Sequence, residues 1–265
     1  MLEWIAYLVL GLFAGFVAGL LGVGGGLIIV PVLIFIFTAQ HFPEQYVVHL
    51  ALGTALASII FTSISSMRAH HLHTAVDWKV WRDIPPGVVT GTLLGSVLAA
   101  YLSAHFLKIF FVLFVFYAGT QMLLDIKPKA ARELPGLPGM FAAGNVIGAV
   151  SSLVGIGGGT LSVPFMTWCN VKLHRAIGTS SAIGLPIAIA GAIGYALNGL
   201  AVSSQLPQYS LGFLYLPALA AMVATSVVTA PLGAKLAHQL PVKKLKKIFA
   251  FLLYVLGARM AVTLF

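Results

Sequence analysis

The chain has 265 residues, of which 60% are hydrophobic and 8% charged, whereas a soluble domain carries roughly 25% charged residues. That balance excludes an ordinary soluble domain and points to a chain that lives in a bilayer. The net charge of +9 would suggest nucleic acid in a soluble protein. In a bilayer it reflects lysines and arginines held on one side, and no nucleic-acid partner is expected.

Apolar segments follow one another along the chain. The first, Trp4 to Leu21, lacks the basic start of a signal peptide, carries Glu3 instead, and reads as the first mature segment. Behind it come Leu27 to Phe37, Tyr46 to Met67, Ile84 to Tyr101 and Ile109 to Leu124. The second half supplies Met140 to Val154, Leu161 to Trp168, Ile177 to Leu197, Leu211 to Leu236 and Ile248 to Leu264. Helix is the expected form of each, because an open sheet edge in lipid leaves backbone groups unpaired. The second and seventh are shorter than the roughly 20 residues that a regular helix needs to cross. Either they cross partly unwound, giving ten spans, or they fold back with their predecessors as re-entrant hairpins, leaving six.

Charge gives the sides. One side receives Arg68, Lys79, Arg82, Lys127, Lys129, Arg132, Lys172, Arg175, Lys235, Lys243, Lys244, Lys246 and Lys247; the other receives Lys108 and Arg259. The basic side is expected to be cytoplasmic, and either span count leaves these turns together. Cys169 is the only cysteine and reads as a packing residue. The run His70 to His73, "HHLH", lacks a carboxylate set, so neither a metal nor a cofactor is expected. None of the six acids falls inside an apolar segment, which disfavours an intramembrane carboxylate relay. His49 and His174 occupy similar places in the two halves and read as interfacial.

The chain is written twice. Gly22-Val23-Gly24-Gly25-Gly26-Leu27-Ile28-Ile29-Val30-Pro31 matches Gly155-Ile156-Gly157-Gly158-Gly159-Thr160-Leu161-Ser162-Val163-Pro164 at a constant offset of 133 residues. Gly53-Thr54 is echoed by Gly178-Thr179, Pro85 loosely by Pro217, and Leu107 to Gly119 by Lys246 to Gly257. Two repeats follow, residues 1–133 and 134–265. A repeat with an odd number of crossings starts its second copy from the opposite side, so the halves form an inverted-topology pair. Transporters of that plan bind their cargo near the midplane between repeats.

The glycines, with Pro31 and Pro164 as helix-break residues, interrupt the helix, and a new one is expected to start between glycine and proline in each half, since Val30 and Val163 are biased away from helical angles. The free first amides and the positive helix end suit an anion, and glycine lets it approach the backbone. Glycine clusters also serve tight helix packing, but two matched runs favour the break. The expected anion site is therefore Gly24, Gly25, Gly26, Gly157, Gly158 and Gly159. Thr54, Ser58, Thr179, Ser180 and Ser181 supply hydroxyls, or bond their own helix carbonyls instead. Asn145, Ser151 and Ser152 are weaker candidates, and Asn198 is placed in an outer loop. A phosphate-binding loop is excluded because its lysine is missing.

At the two glycine runs the sequence resembles the TauE/SafE family of membrane transporters, the sulfite exporters. The likeness covers the whole chain and rests on Gly24, Gly25, Gly26, Pro31, Gly157, Gly158, Gly159 and Pro164. It implies a multi-pass inner-membrane carrier of small sulfur-containing or organic anions, with sulfite or sulfonates foremost. The reading at this point is an all-α polytopic membrane protein of two inverted repeats, whose partners are a small anionic substrate and the lipid bilayer, with a homodimer left open. A passive anion channel is the nearest rival. A serine hydrolase at Ser151 or Ser152 is disfavoured because no segment interior offers a base.

Overall fold

The computed structural model describes residues 2–22, 24–124, 133–237 and 242–264. Val23, the basic turn with Lys127, Lys129 and Arg132, and the side chains of Lys243 and Lys244 lie outside the described residues. The protein is an all-α polytopic membrane protein. Its helices are α1 (Leu2–Leu21), α2 (Gly26–Ala39), α3 (Glu44–Leu72), α4 (Trp78–Asp83), α5 (Pro85–Tyr101) and α6 (Ala104–Leu123), then α7 (Leu137–Val154), α8 (Gly159–Trp168), α9 (Leu173–Leu200), α10 (Leu216–Ala237) and α11 (Val242–Val262). Among the described residues, six helices are long and apolar enough to cross a membrane: α1, α3, α6, α7, α9 and α10.

All ten expected segments contain a helix, and a short helix, a 3₁₀ turn at Ser203–Gln205 and a small hairpin are added to them. Asp77 caps α4 by accepting from the amides of Lys79 and Val80 at 3.2 and 3.3 Å. The strands β1 (Ser210–Leu211) and β2 (Leu214–Tyr215) form an antiparallel hairpin between α9 and α10. The apolar run from Leu211 is thus a hairpin first and a helix only from Leu216. Asn198 sits not in a loop but in the last turn of α9, where its amide donates to the Ser96 carbonyl at 3.1 Å.

Two parallel helix pairs are built on glycine. Along α1, Gly11 meets Met222, Gly15 meets Ser226 and Gly19 meets Ala230 of α10 so closely that any Cβ would overlap the facing backbone. Along α5, Gly87 meets Phe141 and Gly91 meets Asn145 of α7 in the same way, and Gly95 meets Ser152. Small residues four apart allow such backbone approach. Thr225 and Thr229 then donate across the first pair to the carbonyls of Leu8 and Leu12 at 2.8 and 2.9 Å.

Between these pairs lie α3 and α9, the most enclosed of the long helices. They run antiparallel. Gln45 at the start of α3 bonds Gln205 beyond the end of α9 at 3.1 Å, while Ala75 beyond the end of α3 meets Gly178 near the start of α9. Helix α2 packs on α3 and α8 on α9, α3 on α10 and α9 on α5, and α6 on α11. These largest contacts return to themselves when α1 is exchanged with α7, α2 with α8, α3 with α9, α5 with α10, and α6 with α11, whereas those of α6 with α3 and α7 and of α11 with α2 have no equal counterpart.

Candidate functional site: two helix breaks in contact

The glycine runs set the site. Between α1 and α2, Gly22, Gly24 and Gly25 have φ of +67, +80 and +78°; between α7 and α8, Gly155 and Gly158 have +70 and +77°. These left-handed values disfavour any side chain. The N-cap residues Gly25 (φ 78°, ψ −8°) and Gly158 (φ 77°, ψ −12°) adopt nearly the same conformation. One expectation is corrected. The prolines do not break the helices, because α2 runs through Val30 and Pro31 and α8 through Val163 and Pro164. A proline in the second turn forfeits one backbone bond, and the left-handed glycines alone interrupt the chain.

The two breaks touch. A Cβ on Gly24 would stand 3.1 Å from both N and Cα of Gly157, and one on Gly26 would overlap the Gly155 carbonyl. Neither new helix has a side-chain cap. In α8 the amides of Gly159 and Thr160 find no acceptor among the described residues, since the first bonds of that helix run from Leu161 and Ser162 to the Gly158 carbonyl.

Beside the crossing lies a narrow cleft with about 190 Å³ of empty space. Gly22, Gly24, Gly157 and Gly184 supply its backbone wall. Thr62, Ser63 and Ser66 of α3 face Ser180 and Ser181 of α9 across it, and no charged side chain lines it among the described residues. Ser66 donates to Ser181 at 3.2 Å, and Ser180 donates to the Gly22 carbonyl at 2.9 Å, tying α9 to the first break. Of the expected hydroxyls, Ser180 and Ser181 therefore reach the cleft. Thr62, Ser63 and Ser66 were missed, although Ser58, Thr62 and Ser66 recur every four residues along α3.

Thr54, Thr179 and Ser58 do not line the cleft. Gly53 lies against the Phe213 carbonyl, and the Thr54 hydroxyl accepts from the Tyr215 amide at 2.9 Å. Gly178 lies against the Ala75 carbonyl, and the Thr179 hydroxyl accepts from the Asp77 amide at 2.8 Å. Each Gly-Thr pair is a latch on a connecting segment of the opposite half. Asp77 also meets Arg175 at 3.5 Å, which joins two of the basic turns. Ser58 is buried and its hydroxyl has no partner. Asn145 donates to Thr90 at 2.9 Å within the α5 and α7 pair.

The histidines are dispersed. His49 is buried against Phe213, with Nε2 3.0 Å from the Ala99 carbonyl, and His174 is exposed at the start of α9. His70 Nε2 lies 3.1 Å from the Gly19 carbonyl, whereas His71 accepts from the Trp78 indole at 3.3 Å. Among the described residues no three His, Cys, Asp or Glu side chains gather closely enough to hold a metal ion.

Residues 7–260 match the family model described as Sulfite exporter TauE/SafE. A probable membrane transporter protein of Haemophilus influenzae is 36% identical over 255 residues, 96% of each chain. A probable membrane transporter protein of Methanocaldococcus jannaschii is 26% identical, covering 94% of this chain and 92% of its own. The Bacillus subtilis protein YunE, also a probable membrane transporter, is 28% identical over 75% of this chain and 80% of its own. No solved structure matches the chain.

Proposed function

The chain belongs to the sulfite exporter TauE/SafE family and is a membrane transporter, not an enzyme; from that premise we propose that it carries small sulfur-containing or organic anions, sulfite or a sulfonate foremost, across the bacterial inner membrane. The observation that carries this reading is the contact of the two breaks, Gly24 on Gly157 and Gly26 on Gly155, beside a cleft lined with hydroxyls. Helix N-termini favour negative charge, and irregular backbone at membrane depth is tolerated where it lines a cavity. The anion binds at this crossing, between Gly24 to Gly26 and Gly157 to Gly159.

The halves 1–133 and 134–265 are inverted repeats in this proposal, a plan supported by the exchange symmetry of the helix packing. The basic turns face the cytoplasm.

Purified protein in liposomes tests the proposal. Labelled sulfite is expected to enter saturably, with counterflow and without sustained current; large steady currents without counterflow would overturn the carrier. Gly25→Ala and Gly158→Ala place a side chain at positive φ, the first 2.8 Å from the Ala14 carbonyl and the second onto Ile187. Each should cut uptake by roughly tenfold or more while the protein still inserts. Full uptake by both variants would remove the crossing from the mechanism.

A further inference from the structure

The two breaks share a backbone but differ in what surrounds them. Around the second, the hydroxyls of Ser151, Thr160 and Ser162 are buried, at 0, 3 and 0% exposure, and none has a hydrogen-bond partner. The Ser151 Oγ stands 3.6 Å from where a Cβ on Gly158 would be, so it faces the N-cap of α8. Ser162 follows Gly158 by four residues and lies on the same helical face. Thr160 is in the first turn, where its own amide and that of Gly159 also lack acceptors. At the matched positions of the first break the chain has Ala18, Leu27 and Ile29. A buried hydroxyl without a partner is costly, and a ligand at this helix start supplies acceptors to Ser151 and Ser162 on the Gly158 side of α8 and to Thr160 on the other side.

Resting on the transport reading above, we propose that the anion is seated on the second break, with Ser151, Thr160 and Ser162 as donors, and that the seat fits a small oxyanion bearing one negative charge. The charge follows from the surroundings. Donors are plentiful, but neither α7 nor α8 carries a charged residue, and none lines the adjoining cleft among the described residues. Each helix N-terminus contributes about half an elementary charge, so two in contact balance roughly one. A second negative charge would remain uncompensated where the dielectric is low.

The test uses the full chain in liposomes with methanesulfonate as the singly charged probe, sulfate as the doubly charged one, and sulfite as a reference. Methanesulfonate should be taken up saturably, and sulfate at least about 100-fold less well. Thr160→Val and Ser162→Ala should each raise the methanesulfonate KM by about tenfold or more. The same substitutions should hold or raise the Tm of the ligand-free protein, because they remove an unpartnered hydroxyl; a donor serving structure would lower it. Ile29→Val, at the matched place in the first break, should leave KM within about twofold. Equal uptake of sulfate and methanesulfonate, or unchanged KM in both hydroxyl variants, would overturn the seat while leaving the carrier intact. Uptake of none of the three anions by the unaltered protein would overturn the carrier itself.

Discussion

Thr54 and Thr179 show how one hydroxyl can serve the chain rather than a ligand. Each receives a backbone amide from across the molecule, that of Tyr215 or of Asp77, and the glycine before it lets that segment come near. Replacing either threonine with valine strands a partly buried N–H, at a cost of about 1–3 kcal/mol. Thr54→Val and Thr179→Val should therefore lower the Tm in detergent, whereas the serine variants, which keep the oxygen, should recover most of the loss. Because α3 and α9 run antiparallel, the two latches sit towards opposite ends of that pair. Serine variants as unstable as the valine ones would show that the methyl group, not the oxygen, holds the segment.

At the level of the helix, the glycine pairs are less forgiving than the core around them. A flexible side chain can yield to a larger neighbour, but the facing atoms at Gly15 and Gly91 are the backbones of Ser226 and Asn145. Overpacking costs about 1–3 kcal/mol even where side chains can shift, and here a whole helix must retreat. Gly15→Leu and Gly91→Leu should each abolish a monodisperse peak on size exclusion in detergent. By contrast, Gly257→Ala in α11 meets only the side chains of Val115 and Phe116 at 3.2–3.5 Å and should elute as the parent does. An undisturbed peak from both leucine variants would mean that these pairs slide apart at little cost.

Across the whole molecule, orientation is open to direct measurement. With the buried Cys169 changed to alanine, cysteines at Lys79 and Lys172 should react with an impermeant maleimide only after the membrane is opened. One at His105, on the opposite side of the charge pattern, should react in intact cells; the reverse pattern would invert the proposed topology. The spans were legible because apolar length and helix geometry are tied together, and α2 and α8 begin at Gly26 and Gly159, the last glycines of their runs. Hydropathy cannot separate Leu211 to Tyr215 from the helix that follows, so the hairpin was hidden, and the six-residue α4 carries too little periodicity to stand out. The cleft was only half legible. Thr62 looks like a residue that bonds its own helix, and it does bond the carbonyls of Ser58 and Ile59 at 3.5 and 3.2 Å. Which hydroxyls face a gap depends on what stands opposite, and that is a property of the assembled chain. The parallel glycine pairs have one more consequence: α1 finds its mate in α10 and α7 finds its mate in α5, so each closely fitted pair takes one helix from either side of the central turn. A polypeptide of half this length would therefore present a grooved, unmated face to lipid, and could settle only by trading helices with an oppositely oriented twin.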